Sequence, residues 1–217
     1  AGFGDILFCL KIANHIIETT PYKTVIWPVA SVYNYLNEYI GTKDIIFCDE
    51  TKNFPYKEIY NSNSINIQKT DSVLYIPLST SDRVISQCLC HDNPWAHGHI
   101  KYNFCNVDYE DWDKYIHIRR NADREKSLLH HLGINGEESF SVINRNFGTP
   151  PNYRTRDDIS SKSGLREIQM NFIQGYNLFD WMSVFEKASQ IHTMDTSIYY
   201  ILQFLGIDDV TIYSRYW

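Results

Sequence analysis

A chain of 217 residues with 43% hydrophobic and 21% charged residues is long enough to bury a sizeable core and is too apolar for wholesale disorder. Its net charge of −6 argues against nonspecific nucleic-acid binding, which needs a basic face to displace counterions. No apolar run reaches the roughly 20 residues of a membrane span, no signal-peptide pattern opens the chain, and five cysteines in irregular spacing fit a reducing compartment better than a disulfide framework. The expectation is a soluble, cytoplasmic protein.

In chain order, Gly2-Phe3-Gly4-Asp5 opens a helix from Asp5 to about Thr19, with Ile6, Leu7, Leu10, Ala13 and Ile17 at helical spacing. A strand at 24–29, a helix at about 31–40 and a strand at 44–48 follow, and this alternation argues for a parallel sheet with flanking helices. The polar stretch 49–72 reads as a long loop or edge element, 72–78 as a buried strand, and 80–90 as a short helix. Tyr102 to Ile118 mixes aromatic and acidic residues and reads as an inter-domain junction.

A second α/β unit then begins. It has a charged helix at 121–132 stopped by Gly133, a strand at 139–143, a polar loop at 149–164, a strand at 167–172 and a helix at 178–189 with Met182 and Phe185 inward. A strand, Gln190 to Met194, runs into Asp195-Thr196-Ser197, an amphipathic helix to Leu205, and a last strand at 210–213. The fold class is α/β, with domains at 1–118 and 119–217. A glycine loop ahead of a helix normally follows a first strand, yet only Ala1 precedes Gly2, so either the natural chain continues upstream or the sheet is built without that strand.

Two segments carry the strongest chemical signal. Asp195-Thr196-Ser197, between a strand and a helix start, leaves backbone N–H groups free to cradle a phosphate. Asn144, Arg145 and Asn146 sit at a strand end, where open α/β sheets bind ligands, and Arg145 is placed to neutralise a leaving diphosphate. Arg119-Arg120 is a competing clamp of lower rank. Cys88, Cys90, His91, His97, His99 and Cys105 lack the spacing of common zinc sites and read as ordinary loop and core residues. Asp111 and Asp113 beside Trp112 read as solvated. The 16 tyrosines suit sugar stacking but are equally core and sheet residues.

Gly2–Leu10 together with Met194–Ser197, and more loosely Asn144–Gly148, resembles GT-B glycosyltransferases of the heptosyltransferase-like kind. The resemblance implies two facing Rossmann-like domains, an acceptor-side N-terminal one and a C-terminal one that binds a nucleotide-sugar. It implies metal-independent, inverting transfer to an acceptor hydroxyl, such as a glycan's, with no cofactor beyond the nucleotide-sugar substrate. Asp5 matches the general base that takes the acceptor proton, and Gly2, Gly4, His97 and Lys101 fall on the acceptor side. Asp195, Thr196 and Ser197 match the turn that grips the donor diphosphate, Ser197 replacing a glycine and Tyr200 a histidine. Tyr176 to Leu178 would touch base or ribose. The alternatives are a GT-B-type nucleotide-sugar epimerase and a non-catalytic nucleotide- or sugar-binding protein.

Overall fold

A computed structural model describes residues 2–61, 67–78, 96–136, 138–148, 154–161 and 164–215. The chain divides into two compact units, Phe3–Ile118 and Arg119–Trp217, each of mixed α/β structure.

Unit 1 starts with helices α1 (Phe3–Phe8) and α2 (Leu10–Thr19). Hydrogen bonds from Cys9 N to Asp5 O and from Ala13 N to Cys9 O carry the ladder across the joint. Ile6, Leu7, Leu10, Ile12 and Ala13 are buried, as an apolar stripe at helical spacing requires. Phe3-Gly4-Asp5 is already the first turn of α1. The expected glycine loop is therefore a helix start.

Strand β1 (Val25–Val29) pairs in parallel with β2 (Ile45–Asp49), joined by a 3-10 turn at Ser31–Tyr33 and helix α3 (Leu36–Tyr39). Asn37 closes the outer edge of β2: its Nδ2 donates to Phe47 O at 2.6 Å and its Oδ1 accepts from Phe47 N at 2.8 Å. A Cβ on Gly41 would lie 2.7 Å from Asn37 Cα, so glycine is what lets the chain pass this clamp.

The polar stretch that follows, read as a long loop or edge element, holds helix α4 (Lys57–Asn61) and the short strand β3 (Gln68–Lys69). The strand expected at 72–78 shrinks to β4 (Leu74–Tyr75), half-buried and antiparallel to β3. The helix expected at 80–90 lies outside the described residues. In the last turn of helix α5 (Ala96–Phe104), Tyr102 is fully buried, donates its hydroxyl to Phe8 O at 2.5 Å and meets the Phe8 ring edge-on at 5.0 Å. Trp112 packs on the same ring at 5.1 Å. Within the stretch read as a junction, which ends where unit 1 does, Tyr102, Val107 and Ile116 are buried in unit 1 while Tyr109 is exposed; a tyrosine ring buries readily when its hydroxyl finds a carbonyl.

Unit 2 opens with α6 (Ala122–His131), capped by Asn121 Oδ1, which accepts from Arg124 N at 3.2 Å, and closed by Gly133 at φ 69°. Its sheet holds β5 (Phe140–Asn144), β8 (Arg166–Gln169), β9 (Gln190–Met194) and β10 (Val210–Tyr213), all parallel, in the order β10-β9-β5-β8. All five residues of β5 are buried, as a central parallel strand demands. A short hairpin of β6 (Asn146–Phe147) and β7 (Arg154–Thr155) interrupts the β5 to β8 connection. A 3-10 turn at Leu178–Trp181 leads into α7 (Met182–Lys187), with Met182 and Phe185 buried, and α8 (Ile198–Phe204) joins β9 to β10.

The strand order positions the site. The chain lays down β5, steps to β8 on one side, then crosses back to place β9 and β10 on the other. The reversal falls between β5 and β9. Outside the carboxyl ends of two such strands the flanking connections diverge, leaving a crevice where α/β sheets bind ligands.

Candidate functional site

β5 ends at Asn144, which leads into Arg145-Asn146, and Asp195-Thr196-Ser197 follows β9, so the two segments singled out in the sequence lie at the adjacent carboxyl ends of neighbouring strands within unit 2. A buried bond ties them: Asn144 Nδ2 donates to Thr193 Oγ1 at 3.0 Å, and that hydroxyl donates to Met194 O at 2.9 Å. Asn144 also stabilises its own turn, accepting from Asn146 N and donating to Asn146 O, each at 3.2 Å. Asn146 Nδ2 reaches Met170 O at 3.1 Å, beyond the end of β8. The two asparagines therefore join three adjacent strand ends.

The turn after β9 is pinned by Asp195 N donating to Tyr213 O at 2.9 Å. Beyond that bond, no described residue accepts from the N–H groups of Thr196, Ser197 or Ile198. Thr196 Oγ1 is buried with no hydrogen-bond partner among the described residues. A buried hydroxyl left unbonded costs about 1–3 kcal/mol, a cost that a ligand oxygen removes. Ser197 makes no capping bond. Helix α8 has only seven residues, so the binding capacity resides in the turn amides and the Thr196 hydroxyl rather than in a long helix dipole.

Three arginines accompany this edge. Arg145 does not point to an open crevice: its Nη1 bonds Gln169 Oε1, and its Nη2 lies 3.6 Å from Glu167 Oε2, both on β8. Arg156 donates to Ser214 O at 3.0 Å, covers the Tyr213 ring at 5.7 Å, and by its bonds holds the Asp158 carboxyl below the usual carboxylate range. Arg215 sits 3.9 Å from Asp195 and is half-exposed, the loosest of the three pairings. Sequence reasoning missed Arg215 and Thr193. The signal for Arg215 was its place two residues beyond a predicted strand; Thr193 looked like a plain strand residue.

Tyr176 packs on α6: its hydroxyl is 2.7 Å from Ser127 Oγ, and the Arg124 guanidinium lies over its ring at 5.9 Å. Arg124 in turn bonds buried Asp180 at 2.9 and 2.7 Å. Tyr200 lies on α8 against Tyr199, with ring centroids 5.8 Å apart. Arg120 is taken up by Glu125, Glu186 and Ser183 and is a structural clamp, not a phosphate one.

In unit 1, Asp5 in the first turn of α1 pairs with Lys101 of α5 at 2.7 Å. The Lys101 side chain is 3% exposed and that of Asp5 41%. Lys101 is thus the buried partner of Asp5. Both border a cavity of about 660 Å³. Near it, Tyr60 donates to Glu50 at 2.8 Å, and burial together with that carboxylate pushes the phenol well above its usual range. His97 lies in the first turn of α5, with its side chain outside the described residues, as are Cys88, Cys90 and His91. His99 stacks on Tyr109 at 4.0 Å, and burial raises the Cys105 thiol to about 11. Among the described residues no three His, Cys, Asp or Glu side chains gather to hold a metal ion, and no helix is long and apolar enough to cross a membrane.

No protein-family model, curated protein or solved structure matches the chain.

Proposed function

We propose that the crevice between β5 and β9 binds the diphosphate of a nucleotide-sugar and that the protein is a glycosyltransferase. The observation that carries the reading is the convergence of Asn144–Asn146 and Asp195–Ser197 on the strand-order reversal of unit 2, with the Thr196 hydroxyl buried and unbonded there. Turn amides and a hydroxyl suit phosphate oxygens. Arg215, loosely held by Asp195, supplies positive charge to a departing diphosphate, the part that sequence reasoning gave to Arg145.

In this reading the arrangement is that of two facing Rossmann-like domains, with unit 1 serving the acceptor. Asp5, held by Lys101, takes the acceptor hydroxyl proton as that oxygen bonds the anomeric carbon. The bond from this carbon to the diphosphate breaks with inversion, its electron pair leaving on the phosphate oxygen. The role of Asp5 comes from the resemblance at Gly2–Leu10. A binding-only protein is the second reading, and the engagement of Arg145 with Gln169 and Glu167 favours it.

The test is a thermal-shift series with nucleoside diphosphates and nucleotide-sugars, followed by an assay for nucleoside diphosphate release with and without added acceptors. A ligand at a hundredfold excess over its Kd stabilises by about 2.7 kcal/mol. Binding lost in Thr196→Val and retained in Asp5→Asn, with release abolished in both, supports transfer. Binding without release under any acceptor selects the second reading, and no binding at all rejects both.

A further inference from the structure

The cavity in unit 1 is bordered by two continuous runs of main chain, 21–28 and 71–78, and by Ile12, Ala13 and Ile16 from one face of α2. Thr24–Pro28 border it, whereas no residue of β2 does, so it lies on the side of β1 remote from β2. The hydrogen bonds show which groups point that way. Val25 N donates to Asp44 O at 2.7 Å and Glu50 N to Val29 O at 2.9 Å. Alternate residues of a parallel strand bond the same neighbour, so Val25, Trp27 and Val29 serve β2. Ile26 then presents its N–H and C=O to the other edge, and Pro28 its C=O. No described residue pairs with that edge.

The second run contains β4. Thr70 N donates to Val73 O at 2.8 Å, so by the antiparallel alternation Val73 and Tyr75 serve β3 while Leu74 turns its N–H and C=O away. Ile16, Ile26, Ile59, Leu74 and Ile76 give the cavity apolar walls. A polar backbone edge beside apolar walls costs free energy until it is paired. One kind of occupant meets both demands, supplying main-chain donors and acceptors along its edges and apolar side chains on both faces.

We propose that this cavity is a strand acceptor: one extended apolar segment, parallel to β1, fills it, bonds Ile26 on one side and Leu74 on the other, and joins β2, β1 and β4 into a single sheet. The occupant is the polypeptide that leads into α1. The connection from α2 to β1 is only five residues, 20–24, so the helices run back along β1 and place Ile16 at the Val25 end and Asp5 at the Pro28 end. A strand parallel to β1 ends beside Asp5, where α1 begins, and strand, helix and strand then form the crossover unit of parallel sheets. Asp5 would stand at the carboxyl edge of the completed sheet, the edge where such sheets bind ligands.

The test joins an apolar valine-isoleucine-leucine segment of about six residues, an ordinary strand length, directly ahead of Ala1. The comparisons are the unextended chain and a glycine-serine-aspartate extension of equal length, and the readout is residue-resolved amide exchange. Only the apolar extension is expected to slow exchange at Ile26 and Leu74, by about tenfold or more, and to raise the melting temperature. Equal exchange in the two extended chains overturns the proposal. So does protection that arises only when the same segment is added as a free peptide, which would assign the cavity to a separate partner chain.

Discussion

Replacing Thr196 with valine keeps the branched shape and removes only the hydroxyl. That hydroxyl is buried and unbonded among the described residues, so its removal relieves a cost of about 1–3 kcal/mol. The ligand-free variant should be more stable by about 1–2 kcal/mol, a rise in melting temperature of roughly 5 °C for a domain of this size. The neighbouring Thr193→Val makes the opposite change. It breaks the bonds to Asn144 and Met194 and should cost about 2 kcal/mol at roughly 1 kcal/mol each. Calorimetry on wild type and both variants, read on the transition that Thr193→Val lowers, checks the signs. Binding of a nucleoside diphosphate should weaken about 10–100-fold in Thr196→Val, the effect of one charge-assisted hydrogen bond. A Thr196→Val protein destabilised as much as Thr193→Val would refute the reasoning, since the hydroxyl would then have a partner in the free protein.

Ser141 Oγ is also buried and unbonded among the described residues, but near the amino end of β5, opposite the carboxyl ends where the site lies; Ser141→Ala should leave nucleotide binding unchanged and keep or raise the melting temperature. Asp5→Asn leaves the buried Lys101 ammonium without its carboxylate, whereas Lys101→Met leaves only a half-exposed Asp5. Urea denaturation should therefore show the larger loss in Asp5→Asn, about 1–2 kcal/mol after allowing for the exposure of Asp5. Asp180→Ala removes the acceptor of two Arg124 bonds and of Asn177 N at 2.8 Å, and should destabilise unit 2 by about 3 kcal/mol, measured the same way. Burial raises the Cys105 thiol from 9.0 to about 11, so its alkylation should stay slow at pH 9 and accelerate only towards pH 11. Because the folded value lies above the unfolded one, the stability linked to this thiol is intact below pH 9 and is lost as pH rises towards 11.

Local pattern was enough wherever short-range physics decides. The helix over Ala122–His131 was readable from the Asn121 cap, the apolar spacing and Gly133, since all three act within one or two turns. The strands Phe140–Asn144 and Gln190–Met194 were readable as apolar runs between turn residues, and their ends already marked Asn144–Asn146 and Asp195–Ser197. Gly4 misled because a glycine next to a helix start reads equally as loop or first turn, and the choice depends on what Phe3 and Ile6 bury against.

Only the tertiary structure decided what those ends do together. Strand order is a long-range property: nothing near residue 144 says that β9 rather than β8 lies on the side where Asn144 reaches Thr193. The same holds for charge. Arg145 and Arg215 look alike in sequence, but the first is engaged by Gln169 and Glu167 while the second keeps only a 3.9 Å approach to Asp195. Tyr102 sits in a stretch that composition marks as an inter-domain junction, and its hydroxyl bond to Phe8 O and its packing on the Phe8 ring, across most of unit 1, make it core. Periodicity reports which face of an element is apolar, whereas the partner that covers that face is chosen by contacts distant in sequence, and those contacts determine which polar groups are left for a ligand.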